Sequence, residues 1–149
     1  MTALTDIDTN LDTAYAAVVT EIGRTDNKSS LLLAFNGAVL AGLGSVADHD
    51  LPPVTNVFGA LATLALGAAA VLLLLVVRPS LGGDDKASFP YWAGLDDDEI
   101  RASMDGDTRA ARIRVLSQIA VGKYRQLRHA VHLSLLAIAL LLVAACGVI

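Results

Sequence analysis

Three runs free of Asp, Glu, Lys and Arg, at residues 31–47, 54–77 and 130–149, set the pattern of this chain. The shortest, 31–47, is about 25 Å long at a helical rise of roughly 1.5 Å per residue, near the lower limit for crossing a bilayer. A collar of Asp26 and Lys28 precedes it, and Arg78-Pro79 closes the second run with an interfacial charge and a residue that cannot continue a helix. Each run predicts a membrane span. The first carries Asn36, with Gly37, Ala41 and Ser45 at helical spacing, and the second carries Gly59, Thr63 and Gly67. Small residues so spaced let another helix approach closely, so Asn36, Gly37, Ala41, Gly59, Thr63 and Gly67 are the candidates for span packing or for lining a pore. Three thin spans enclose no water path alone, which points to a homo-oligomer with cyclic symmetry. The aliphatic stretch 71–77 suits lipid contact.

Outside the runs the period is also helical. Ile7, Leu11, Ala14, Val18 and Ile22 recur every three or four residues, Leu4 and Tyr15 widen the stripe, and Thr5 or Asp6 is placed to cap it. No proline separates this stripe from the first span, so the two form one rod. A second stripe, Ile113, Leu116, Ala120, Tyr124, Leu127 and Val131, runs directly into the third span. The loop 48–53 reverses the chain, and 79–107 is irregular apart from a short helix behind the acids Asp96, Asp97, Asp98 and Glu99. Phe89, Tyr91 and Trp92 belong at the membrane–water interface or at the foot of the helices. The expected fold is an all-α membrane protein with three transmembrane helices, residues 1–149 forming one membrane domain. Its parts are a cytosolic amphipathic helix at 1–30, the spans at 31–47, 54–77 and 130–149, and a cytosolic loop and basic helix at 78–128.

Charge then fixes the expected orientation. All eleven Lys and Arg lie within 1–30 or 78–128, so the amino terminus and the 78–128 segment face the cytosol and the carboxyl terminus faces out. Residues 1–30 hold five acids against two bases, whereas 108–128 hold six bases and no acid. The simplest arrangement pairs the two rods stripe to stripe and acid to base. On a helical wheel Arg112 and Lys123 flank one side of the basic stripe, and Arg114, Arg125 and Arg128 flank the other. These five residues are the candidate ligand or switch site, with the acidic helix, an anionic lipid headgroup or a nucleotide phosphate as partner.

Composition, 54% hydrophobic and 5% aromatic, agrees with membrane residence. No enzyme is expected: there is no nucleophile with a base, no metal-ligand spacing and no ionisable group deep in a span. Asp48-His49-Asp50 is a polar turn, Gly82-Gly83-Asp84-Asp85 lacks the spacing of a phosphate loop, and the acids 96–99 point different ways, so no metal and no resident cofactor are expected. The single Cys146 permits no internal disulfide, and the acidic start is no signal peptide.

Several short motifs carry a resemblance. Arg24-Thr25-Asp26-Asn27-Lys28-Ser29-Ser30-Leu31-Leu32 followed by Asn36-Gly37, then Phe89-Pro90-Tyr91-Trp92-Ala93-Gly94-Leu95, then Gln118-Ile119 and Lys123-Tyr124-Arg125-Gln126-Leu127-Arg128, resemble in order the Pycsar effector transmembrane family. Asp26-Asn27-Lys28-Ser29 departs mildly from that family's Asp-x-Lys-Ala. The resemblance implies a multi-pass effector of the bacterial inner membrane in anti-phage, abortive-infection defence. In such systems a nucleotidyl cyclase makes a cyclic pyrimidine mononucleotide, and the effector then impairs the membrane. The implied partners are the bilayer, further copies of the chain and that cyclase, with no nucleic acid. The alternative is a non-catalytic anchor or regulatory subunit that recruits a cytosolic partner.

Overall fold

The computed structural model describes residues 2–47, 49, 51–78, 89–103 and 106–146. They form five helices: α1 Thr2–Val46, α2 Pro53–Val77, α3 Phe89–Trp92, α4 Asp97–Ser103 and α5 Arg109–Cys146. The protein is all-helical over these residues, and α1, α2 and α5 are each long and apolar enough to span a membrane. The turn residues Asp48 and Asp50, the Gly82-Gly83-Asp84-Asp85 loop and residues 147–149 lie outside the described residues.

The element boundaries follow from local chemistry. With no proline or glycine in its first twenty residues to stop it, α1 is a single rod that already begins at Thr2, so Thr5 and Asp6 lie inside it rather than at its start. Pro53 opens α2, where its missing N–H and fixed φ suit a first turn. Asp96 caps α4: its Oδ1 accepts from the backbone N–H groups of Asp98 and Glu99 at 3.0 and 2.8 Å, while Glu99 Oε2 accepts from Asp96 N–H at 3.0 Å. That reciprocal box, together with three acids in the first turn, explains why a seven-residue helix forms there.

The chain divides into two compact units. Unit 1 comprises Met1–Arg24 and Pro79–Gly122, and so contains the start of α1, α3, α4 and the start of α5. Unit 2 comprises Thr25–Arg78 and Lys123–Ile149, the three apolar segments. Within unit 2, α1 and α5 run parallel, Asp26 meeting Lys123 and Asn36 meeting Ser134, and α2 runs against both.

A seven-residue repeat builds the core of unit 2. Thr55, Ala62, Ala69 and Val76 are buried along α2, Ala130, Ala137 and Ala144 along α5, and Ser29 and Asn36 along α1 with half-buried Leu43 next in the series. Such a repeat keeps one seam of each helix against its neighbours. Ala62, Ala65, Leu66 and Ala137 pack with Val39, Leu40, Leu43, Leu140 and Leu141, and Leu73, Leu127 and Ala130 pack with Leu32, Leu33, Leu72 and Val131. Alanine is therefore the residue that lets these helices approach. The 71–77 stretch serves two surfaces: Leu73 and Val76 are buried, whereas Val71, Leu74, Leu75 and Val77 are exposed. Leu31, Leu64, Leu135 and Leu142 complete an outward surface as apolar as the core, which suits hydrocarbon on that side.

Candidate functional site

In unit 1 the functional chemistry gathers where α1 meets the start of α5. Arg109, at the first turn of α5, reaches three carboxylates. Its Nε donates to Asp107 Oδ1 at 3.0 Å, and its two terminal nitrogens donate to Asp12 Oδ1 at 3.0 Å and to Asp8 Oδ1. A further bond runs to the Asp8 carbonyl at 3.3 Å. Asp8 and Asp12 are one turn apart on α1, so a single guanidinium fork spans both. Hydrogen bonds donated to Asp107, Asp12 and Asp8 raise the Arg109 pKa above its already high value, and those same bonds from Arg109 hold the Asp107 carboxyl below the ordinary 3.8. All four groups are open to water, so salt screens the cluster.

The sign of the pH response follows. A carboxylate whose folded pKa is depressed contributes stability that is fully present above its unfolded value and lost as pH falls through the folded value. Backbone amides near Arg109 should accordingly keep their hydrogen-exchange protection from about pH 7 to about pH 5 and lose it only below the ordinary aspartate value of 3.8. Loss of that protection near neutral pH would contradict the pairing.

One turn further along α5, Arg112 lies between two aromatic rings, 5.0 Å from the Tyr15 centroid and 5.2 Å from the Trp92 centroid. Among the described residues no group accepts a hydrogen bond from its guanidinium. A guanidinium over two rings with no acceptor among the described residues can take a phosphate or carboxylate in two parallel bonds. Trp92 thus lies beside Arg112 within unit 1.

In unit 2, Lys123 Nζ donates to Asp26 Oδ1 at 2.6 Å, and the lysine is largely covered. One α-turn beyond, Ser29 Oγ donates to the Thr25 carbonyl at 2.8 Å, both residues being fully buried. Asn36, fully buried in the middle of the first apolar run, meets Ser134 of α5. Its Nδ2 donates to Ser134 Oγ at 3.0 Å, and the Ser134 hydroxyl stands 3.1 Å from Asn36 Oδ1 and 3.0 Å from the Ala130 carbonyl. One hydroxyl proton serves only one of those two acceptors at a time. Near the opposite end of the bundle Thr55 Oγ1 donates to the Ala144 carbonyl at 3.1 Å.

The five basic candidates therefore separate by the side of the stripe they occupy. Arg112 and Lys123 turn inward, one to aromatic rings and the other to Asp26. Arg114, Arg125 and Arg128 are exposed and make no ion pair among the described residues. Acid-to-base pairing of the rods runs through Lys123 and through Arg109, which the sequence reading left outside the candidate site. The signal for Arg109 was present: Asp8 and Asp12 one turn apart can bracket one arginine, and Tyr15 continues that face.

The span candidates separate too. Asn36 alone faces inward. Gly37, Ala41 and Thr63 are exposed and Gly59 and Gly67 half-buried, and a side chain added at Gly37, Gly59 or Gly67 would meet no atom within 4 Å. The glycine faces are not where these helices touch. Among the described residues no group of three or more His, Cys, Asp or Glu side chains is arranged to hold a metal.

Comparison with known families matches residues 10–149 to the Pycsar effector protein domain. No curated protein and no solved structure matches the chain. With all but the first turns of α1 inside that match, and with three spanning helices in the order the motifs require, the chain belongs to the Pycsar effector family of anti-phage defence.

Proposed function

We propose that this protein is the membrane effector of a Pycsar system, held at rest by the contacts of α1 with α5 and triggered by a cyclic pyrimidine mononucleotide. Arg112 carries the reading: a guanidinium over Tyr15 and Trp92 with no hydrogen-bond acceptor among the described residues, beside an Arg109 that three carboxylates already occupy. A nucleotide phosphate arriving at Arg112 competes with Asp8 and Asp12 for the neighbouring Arg109, which couples ligand binding to the α1 contacts. The triggered copies then assemble and impair inner-membrane integrity, with no catalytic step. The test is to express the protein with and without cyclic uridine or cytidine monophosphate while recording membrane potential. Depolarisation is expected only with the nucleotide, and a potential indifferent to both nucleotides rejects the reading.

Assembly is assigned to the outward small-residue face of α1 at Gly37 and Ala41, both exposed, where a side chain added at Gly37 would meet no atom within 4 Å. Gly37→Leu should weaken association in mild detergent by roughly tenfold or more while leaving helix content unchanged. A monomeric mass for the parent protein in nanodiscs would contradict the assignment.

The orientation follows the basic residues, with the amino terminus cytosolic and the carboxyl terminus external. A reporter fused after Ile149 should behave as external. Cytosolic activity there removes the three-span topology.

Arg114, Arg125 and Arg128, exposed and without an ion pair among the described residues, favour a second reading, a non-catalytic anchor that recruits an acidic cytosolic partner. Neutralising Arg125 and Arg128 separates the two: the anchor loses its partner, whereas the nucleotide-triggered effector still depolarises.

A further inference from the structure

The three helices of unit 2 enclose a cavity of about 280 Å³ beside the α1–α2 turn. Leu43 and Val46 of α1, Thr55, Gly59 and Thr63 of α2, and Leu141 of α5 form its walls. Its volume is nearly twice that of a lined apolar cavity of about 150 Å³ that stays dry and admits benzene. Three side chains with polar atoms border it, and each has a hydrogen bond within the protein. Thr55 Oγ1 donates to the Ala144 carbonyl at 3.1 Å, Asn56 Nδ2 to the Leu51 carbonyl at 3.2 Å, and Thr63 Oγ1 to the Gly59 carbonyl at 2.9 Å. With the threonine hydroxyl protons spent, the wall is mostly apolar, and the Asn56 carbonyl oxygen is its side-chain acceptor left over.

The hollow is open to the outside of unit 2. Val46 and Thr63, in its walls, are exposed, and residues 31–47 and 54–77, to which they belong, are the apolar runs themselves. What stands against such an opening in a membrane is hydrocarbon. We infer that this cavity is a lipid site, which takes the acyl chain of a phospholipid from the leaflet nearest the α1–α2 turn. The match is one of chemistry and supply: a mostly apolar hollow with its threonine hydroxyls internally bonded, open to a solvent made of acyl chains. The site is independent of the nucleotide reading, since it lies entirely in unit 2 and uses no basic residue.

The test uses the full chain in nanodiscs containing a phospholipid with a photoactivatable diazirine near the middle of one acyl chain, followed by mass-spectrometric mapping of the labelled residues. Gly59, Thr63 and Leu141 should be labelled several-fold above Leu64 and Leu74, which are 70% and 57% exposed and meet only bulk lipid. Because a side chain added at Gly59 meets no atom within 4 Å, Gly59→Leu should fill the hollow and bring its labelling down to the level of Leu64. Gly67→Leu, on the same helix but outside the cavity wall, should leave the pattern unchanged. Labelling of the cavity no higher than that of Leu64 and Leu74 in the parent protein overturns the inference, whatever the variants do. So does recovery of the cavity residues crosslinked to a second copy of the chain instead of to lipid.

Discussion

Arg112→Gln should weaken binding of a cyclic pyrimidine mononucleotide by about tenfold to a hundredfold and abolish nucleotide-dependent depolarisation at the parent's working concentration. The magnitude follows from the bond lost: a hydrogen bond to a charged group contributes about 1.5–3 kcal/mol, and about 1.4 kcal/mol is tenfold in an equilibrium constant. Glutamine keeps part of the length and some donor capacity but neither the charge nor the fork. Arg112→Lys should fall between, because lysine restores the charge without the two parallel donors and stacks less well between Tyr15 and Trp92. Isothermal titration in nanodiscs gives the affinity, and circular dichroism shows that the helices persist. If Arg112→Gln binds the nucleotide as the parent does, Arg112 is not the anion site, and the rings hold it for packing alone.

The second large effect lies in the spans. Ser134→Ala should destabilise unit 2 by about 1–3 kcal/mol, because it leaves the Asn36 amide buried without its partner. Hydrogen bonds between helices in membranes average nearer 0.6 kcal/mol, so geometry decides which figure applies. Asn36 is fully covered and too short to reach an interface from mid-span, which favours the upper range. Asn36→Leu combined with Ser134→Ala removes both polar groups and should cost less than Ser134→Ala alone. The cycle is read by detergent-induced unfolding in micelles. Additive costs for the two substitutions would show that the residues do not act as a pair.

How much of this was legible beforehand depends on which physical term governed each feature. Span location and helical class were readable because uninterrupted apolar runs and a 3.6-residue period leave few alternatives. The division of the basic residues between two sides of the stripe was readable for the same reason, with Arg112 and Lys123 on one and Arg114, Arg125 and Arg128 on the other, but which side turns inward was not. Partner choice was not. Lys123 meeting Asp26 and Arg109 meeting Asp8 and Asp12 depend on the register between helices nearly a hundred residues apart in the chain, which no local pattern encodes. The seam within the chain is closed by alanine rather than by the glycines. Ala130, Ala137 and Ala144, seven residues apart, are the better signal, for a repeated small side chain permits close approach while still filling the seam.

The register of α1 against α5 within unit 2 also limits how the chain can change length. Asp26 and Asn36, ten residues apart, face Lys123 and Ser134, eleven apart, so two contacts separated by about three turns must be met at once. Deleting a single residue between Ser29 and Asn36 would turn everything beyond it by roughly 100° and shift it by about 1.5 Å, which swings Asn36 away from Ser134 and brings a lipid-facing side chain into the seam. Substitution on the outer face of the same stretch disturbs neither contact. Among related chains, then, insertions and deletions should be excluded from this segment even where the outward residues vary freely.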